Sequence, residues 1–372
     1  MVEVENPFRY GVVVTGENFV DREQELDLIM RELRNSHNIV MFSNRRMGKS
    51  SLLKELIRRN RREFIFAYVD LYGVPNQGKF LELLVGEVGR AAFNKAEKLS
   101  SAVKEFLSGV RFRFVITNRG TAGVELYQDE VRGIELSEIL EFAERTGKRK
   151  GKRVVVIFDE FQEISSFDGV ALLKTMRSHM QMHKHATYVF SGSKRHLLLQ
   201  IFEVPEGAFY KSARPLELEP IPRPELEKFI VQRFKAAGGK ISVEFARMIV
   251  EASRDYPYYA QQIAHELYDM SPSPSDPKQV ESAIRMAVSH HAPMCLLLWD
   301  TVKSPLQRKY LLAVAEEPKV AHGTVFIERY RLRSYSHIQR IEKQLESRGI
   351  IEHGQIVDPM FELWLRDLKR SS

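Results

Sequence analysis

Lys49 and Ser50 follow Gly48 in MFSNRRMGKSS (Met41–Ser51), and Asp159 and Glu160 close the apolar run VVVIFDE (Val154–Glu160). The first group reads as the loop G-x-x-x-x-G-K-[ST], in which consecutive backbone N–H groups and a helix N-terminus converge on phosphate oxygens. The lysine reaches the terminal phosphates and the hydroxyl ligates Mg²⁺. Ser43, Asn44, Arg45, Arg46, Met47, Gly48, Lys49, Ser50 and Ser51 are therefore candidate nucleotide-binding residues. Ser43 stands where the pattern has its first glycine. A small residue serves there provided its φ is negative, because the glycine that must allow close backbone approach is Gly48. Asp159 suits a Mg²⁺ contact, usually through water, since Mg²⁺ takes hard oxygen ligands and keeps several waters. Glu160 suits polarising an attacking water. A bland alternative is an acid pair capping a strand in a surface turn. The expected ligands are ATP or ADP with Mg²⁺.

Such a loop needs a buried strand before it and an amphipathic helix after it. NIVMFS (Asn38–Ser43) supplies the first, and KSSLLKELIRRN supplies the second, with Leu52, Leu53, Leu56 and Ile57 on one face. EFIFAYVDLYG, RVVVIFDEF and ATYVFSGS read as further strands alternating with helices, the pattern of a parallel sheet. Two helices and a hairpin, RFRFVITNRGTAGVELYQ, elaborate that alternation. After Pro215 the pattern turns helical, with Pro224 at a helix start and SPSPSDPK as a connection. From Ser304 onward three helices and a short ribbon, GIIEHGQIVD, give the order of a winged helix-turn-helix. The expected class is α/β with a P-loop parallel sheet, a helical domain and a C-terminal winged helix, divided as residues 1–215, 216–300 and 301–372.

Composition bounds the function classes. At 44% hydrophobic and 28% charged the chain is an ordinary globular one, with no apolar run of about eighteen residues to span a membrane. The start, MVEVENPFRY, lacks the apolar segment of a signal peptide, and Cys295 is the single cysteine, which excludes an internal disulfide and a cysteine-based zinc site. A cytoplasmic location is expected. The net charge of +7 leans toward polyanionic partners. RRNRR (Arg58–Arg62) is expected to close a helix, where cations complement the dipole, and GKRKGKR (Gly147–Arg153) to form a solvated turn.

Several motifs resemble the archaeal ATPases of the STAND class, relatives of the AAA+ replication initiators. NFVDREQEL (Asn18–Leu26) resembles the family's box near the adenine, which implicates Arg22, with Asp21 in place of a glycine. SNRRMGKSSLL resembles the family's phosphate loop, VVVIFDEFQEI its acidic strand, and YVFSGS the strand whose polar end senses the γ-phosphate, which assigns that role to Ser191 and Ser193. YKSARPLELEPI is similar to a stretch with an arginine before an apolar strand, here Arg214, read either as a γ-phosphate contact in its own subunit or a neighbour's, or as a domain-interface salt bridge. DYPYYAQQIAHEL resembles a G-x-P segment of the lid, matching at Pro257 and Tyr258 but with Asp255 where glycine is usual. The resemblance implies ATP and Mg²⁺ held between sheet and lid, with hydrolysis resetting a conformational switch. The alternatives are a nucleotide-locked signalling module without turnover, or a DNA-binding regulator for which nucleotide is only a ligand.

In the C-terminal unit Ile338, Ile341 and Leu345 form the expected buried stripe, with Ser334 as N-cap. Ser336, His337, Arg340 and Lys343 fall on other faces, suited to DNA phosphates or base edges. Glu342 and Glu346 dilute that charge, so packing within the protein or docking of a protein or oligomer partner is the other reading. DPMFELWLRD resembles the aromatic tail that follows this module in the same family.

Overall fold

The computed structural model describes residues 5–93, 112–116, 122–126, 136–167, 169–317, 324–330, 332 and 335–370. They form two units, Val13–Glu219 and Met1–Val12 joined with Pro220–Ser372. In the first, five parallel strands run in the order β2 (Ile65–Asp70), β5 (Val154–Asp159), β6 (Ala186–Gly192), β1 (Ile39–Phe42), β7 (Arg214–Glu217). The three inner strands are buried at every residue, as expected of a parallel sheet covered on both faces. The edge strand β2 alternates instead, and the other edge, β7, tolerates Pro215 because an edge position can lack one ladder donor. β7 carries the sheet past residue 215, to Glu217.

Helix α1 (Glu23–Arg34) precedes β1, and α2 (Lys49–Asn60) follows it, burying Leu52, Leu53 and Leu56. The helix α3 (Gln77–Ala92) packs on β2 and is N-capped by Asn76, whose side chain accepts from the Lys79 N–H. β3 (Phe112–Ile116) and β4 (Ala122–Leu126) pair antiparallel as the expected hairpin, whose turn lies outside the described residues. The core on one side of the sheet is aromatic: Phe158, Phe161, Tyr188, Phe190, Phe202 and Phe209 stack in one cluster.

The second basic run departs from expectation. Its residues Gly147–Lys150 form the last turn of the helix Phe142–Lys150, and only then does the chain turn, at left-handed Gly151. Three cations at a helix C-terminus are stabilised by the unpaired carbonyls there. Gly147 is demanded by space, since a Cβ would stand 2.5 Å from the His185 carbonyl oxygen. The run at Arg58–Arg62 does close α2; there Arg58 and Arg59 both bond Glu55.

The second unit contains the helices Arg223–Ala236, Val243–Ser253, Pro257–Met270 and Pro277–Thr301. Helices Pro305–Glu316, Thr324–Arg329 and Tyr335–Glu346 follow, then the ribbon β8 (Ile351–Glu352) with β9 (Gln355–Ile356), then the helix Pro359–Arg370. This order fits a winged-helix domain. Ile338, Ile341 and Leu345 are buried as the stripe requires, against Tyr310, Leu311 and Phe361; Ser334 lies outside the described residues. No helix among the described residues is long and apolar enough to cross a membrane.

Candidate nucleotide-binding site

The loop between β1 and α2 adopts the backbone its sequence asks for. Gly48 is left-handed with φ +88° and forms the N-cap of α2, and Arg46 is left-handed with φ +71°. Ser43 is not among the residues with positive φ, so a serine is accommodated where the pattern has glycine. Lys49 begins α2 and is buried, with its Nζ 3.4 Å from both the carbonyl oxygen and the Oγ of Ser43. Burial pushes the Lys49 ammonium below its ordinary range, while the carboxylates of Glu160 and Asp159 pull it back up and Arg45 opposes them.

The two acids stand at the carboxyl end of β5, next but one to β1 in the sheet. Ser50 Oγ donates to Asp159 Oδ2 at 2.8 Å, which joins the loop to the acidic strand. The Tyr68 hydroxyl, on β2, donates to the same oxygen at 2.5 Å, and the Glu160 N–H reaches Oδ1 at 3.1 Å. Glu160 is itself left-handed with φ +51°. Its Oε2 accepts from the Ser193 N–H at 3.2 Å, the Ser193 hydroxyl at 2.8 Å and Gln162 Nε2. Ser191 Oγ, near the end of β6, is fully buried with no hydrogen-bond partner among the described residues. Asp70, paired in register with Asp159, adds a third carboxylate; burial raises its pKa, and Asp159 and Glu160 raise it further.

The remaining candidates do different work. Arg22 is buried and gives its guanidinium to protein atoms: Glu25 at 2.7 Å, the Glu219 carbonyl at 2.6 Å and the Met47 carbonyl at 3.2 Å. It braces the phosphate loop. Ser51 Oγ accepts from the Val14 N–H at 3.1 Å. Pro257 occupies the first turn of its helix, where a missing N–H costs nothing, and belongs to the other unit.

Arg214 requires a correction. It opens β7 opposite Ile39, the first residue of β1, so it lies at the amino end of the strands while the phosphate loop leaves the carboxyl end. Its guanidinium pairs with Glu32 of α1. Strand direction excludes contact with the γ-phosphate of its own subunit, and the observed salt bridge lies within Val13–Glu219 rather than at a domain interface.

Two residues escaped the sequence reading. Tyr68 gives no local sign that its hydroxyl meets an acid 91 positions away. Gln162 follows the acid pair closely, and a Cβ on Gly192 would stand 2.0 Å from its Oε1, so Gly192 leaves room for the amide that holds Glu160.

The residues fit a nucleotide with Mg²⁺. A buried ammonium whose hydrogen bonds among the described residues are long, and a buried hydroxyl with none among them, are groups that an anion completes. Among the described residues no three His, Cys, Asp or Glu are grouped to hold a metal by themselves. Mg²⁺ is usually bound through one or two carboxylates plus substrate phosphates, and Ser50 with Asp159 suits that mode. In the winged-helix domain Ser336, Arg340 and Lys343 are exposed and His337 is half-buried.

Comparison with known proteins agrees with this geometry. The Walker-type ATPase of Pyrococcus abyssi has the same fold with a TM-score of 0.69, at 17% identity over 97% of this chain and 99% of that one. The ORC2 protein of Aeropyrum pernix in its ADPNP–ADP complexes gives 0.58 at 15% identity, covering 96% and 98%. At these identities the likeness is one of fold. No curated protein matches the sequence. Residues 19–248 match the family described as the ATPase domain predominantly from Archaea, and the chain belongs to that family.

Proposed function

We propose that this ATPase binds ATP with Mg²⁺ at the β1–α2 loop and hydrolyses it as a conformational switch. The observation that carries the reading is the 2.8 Å bond from Ser50 Oγ to Asp159 Oδ2, which brings loop hydroxyl and strand-end acid to one point. The nucleotide complexes of the Aeropyrum pernix protein of similar fold support it. Lys49 and the left-handed Gly48 hold the terminal phosphates. Ser50 and Asp159 hold the metal, which when bound neutralises charge developing on the transferred phosphoryl group. Glu160, oriented by Ser193 and Gln162, takes the proton of the attacking water. Ser191 and Ser193 offer hydroxyls at the end of β6.

Lys49→Ala tests the loop. Losing a charge-assisted phosphate contact weakens ATP–Mg²⁺ binding about ten- to a hundredfold by calorimetry. Unchanged affinity refutes the assignment. Tight ATP binding without phosphate release by the wild type points instead to a nucleotide-locked module.

The exposure of Arg340 and Lys343 on the helix Tyr335–Glu346 supports a second role, contact with DNA phosphates, with Ser336 and His337 nearest the bases. Each lost phosphate contact lowers the slope of log affinity against log salt by about one unit. Arg340→Ala with Lys343→Ala therefore flattens it by about two. If the wild type shifts no duplex at about 50 mM salt, the module docks protein instead.

A further inference from the structure

We infer that Tyr68 is a positioning residue for the carboxylate of Asp159, and that Lys54 tunes it from the face of its ring. The inference rests on the reading of Asp159 as the metal contact. Three donors fix the Asp159 carboxylate: the Glu160 N–H on Oδ1, and Ser50 and Tyr68 on Oδ2. They come from the residue just after β5, from α2 and from β2, so the orientation of one side chain is decided by three parts of the fold. Tyr68 pairs in register with Ile157, and it reaches diagonally to Asp159, two residues further along β5. Such a diagonal is within range of an aromatic side chain.

The two hydroxyls on Oδ2 are not equivalent. Ser50 is itself the loop's metal ligand, so its hydroxyl is committed to the site being assembled. Tyr68 carries no such duty. Its hydroxyl anchors Asp159 whether or not the metal is bound. A phenol donating to a carboxylate also withdraws electron density from it. That would favour water-mediated contact with a hard cation over direct ligation.

Lys54 strengthens the donor. Its Nζ lies 3.2 Å from the centroid of the Tyr68 ring, a cation–π contact that makes the phenol O–H more polar. Burial pushes the Lys54 ammonium down, and Glu87, Asp159 and Asp70 oppose that shift. The stack therefore runs from α2 across β2 to the acid on β5.

Tyr68→Phe removes one hydroxyl and keeps the ring under Lys54. The measurement is ATP binding by the full-length chain, by calorimetry, first in EDTA and then across a Mg²⁺ titration. In EDTA the affinity stays within about twofold of wild type, since Lys49 and the loop are untouched. The Mg²⁺ concentration needed for the tight complex rises about tenfold, the scale of losing a partner of a metal ligand. Lys54→Met, which keeps the aliphatic stem, moves the same midpoint in the same direction by about two- to threefold. A purely structural tyrosine would change the melting temperature and the EDTA affinity and leave the Mg²⁺ midpoint alone. Asp159→Ala separates the layers. If Asp159→Ala shifts the midpoint strongly and Tyr68→Phe does not, the positioning role is overturned alone. If neither shifts it, the reading of Asp159 as the metal contact falls as well.

Discussion

Lys49 and Glu32 are both buried charges in the same unit, at opposite ends of one parallel sheet. Glu32, at the amino end, is saturated by short partners: His37 Nδ1 at 2.8 Å on one oxygen and Arg214 on the other. His37 first, then Arg214, hold its carboxyl below the usual range against the opposing effect of burial. Nearby, Glu144 accepts three successive backbone N–H groups, from Lys184, His185 and Ala186, at 2.7–3.0 Å. Lys49, at the carboxyl end, has among the described residues two contacts of 3.4 Å, both to Ser43. A buried charge with complete short partners builds the fold, and one with long partners belongs to a site that a ligand finishes. Both ends are strongly polar; satisfaction of that polarity separates chemistry from architecture.

The sharpest way to break this comparison sets Glu160→Gln against Arg214→Ala. If Glu160 is the general base proposed above, its loss lowers phosphate release by about a hundredfold or more, with ATP still bound. Arg214→Ala leaves turnover within about twofold and lowers stability by about 1 kcal/mol, a modest figure because the guanidinium is half-exposed. Phosphate release and thermal melting on the two variants decide it. A large loss of turnover in Arg214→Ala, with the melting temperature unchanged, would erase the distinction between the two ends.

A smaller effect sharpens the same boundary from within α2. Glu55 is fully buried one turn beyond the phosphate loop. It bonds Arg58, Arg59 and the Gly16 N–H, and these hold its carboxyl down at about 2, with Arg58 contributing most. The folded pKa lies below the ordinary value of 4.5, so the stabilisation is present above pH 4.5 and is lost as pH falls through about 2. At neutral pH it amounts to about 3 kcal/mol. Glu55→Gln is therefore destabilised by about that much at pH 7 and by progressively less below pH 4, measured by denaturant unfolding. A variant whose deficit is the same at pH 3 and pH 7 refutes the ionic account.

What was legible in the sequence follows from how local the signal is. Gly48, Lys49 and the strand–loop–helix around them lie within a dozen residues, and periodicity alone frames them. Asp159 was legible because a run of apolar residues ending in two acids can only be the end of a buried strand. A same-subunit phosphate contact by Arg214 was misread because the motif fixes its distance from a strand and not which end of the sheet the strand starts from. In a parallel sheet ligands gather at the carboxyl ends, so a residue that opens a strand points away from the site. Tyr68 and Gln162 carried no signal at all. Their partners are set by the pairing of β2 with β5 and by the space left at Gly192. The basic run at Gly147 was misplaced because two glycines among lysines and arginines read as a turn, while the close approach of the His185 carbonyl demands the first of them inside the helix.

The smallest expected effect concerns the two places where aspartate stands in a position that the resembled family gives to glycine. Asp21 has φ +32° and Asp255 has φ +64°, each next to a second left-handed residue, Arg22 at +95° and Arg254 at +50°. The backbone thus keeps a glycine-like course without the glycine, which aspartate tolerates better than most residues. Glycine relieves the remaining strain and adds unfolded-chain entropy, two terms of about 0.5–1 kcal/mol that nearly cancel. At Asp255 the exchange also removes an ion pair with Arg223 of 2.8 Å; at Asp21 it removes no ion pair that the structure describes. Asp21→Gly should therefore stay within about 0.5 kcal/mol of wild type, no more than about two degrees in melting temperature, and Asp255→Gly should fall below it by about 0.5 kcal/mol. Because Arg22 keeps its hold on the Met47 carbonyl, ATP affinity in Asp21→Gly stays at the wild-type value. A fall in ATP affinity together with a higher melting temperature would show that strain at the carboxyl end of the sheet serves the phosphate loop, and would extend the contrast between the two ends from side chains to backbone.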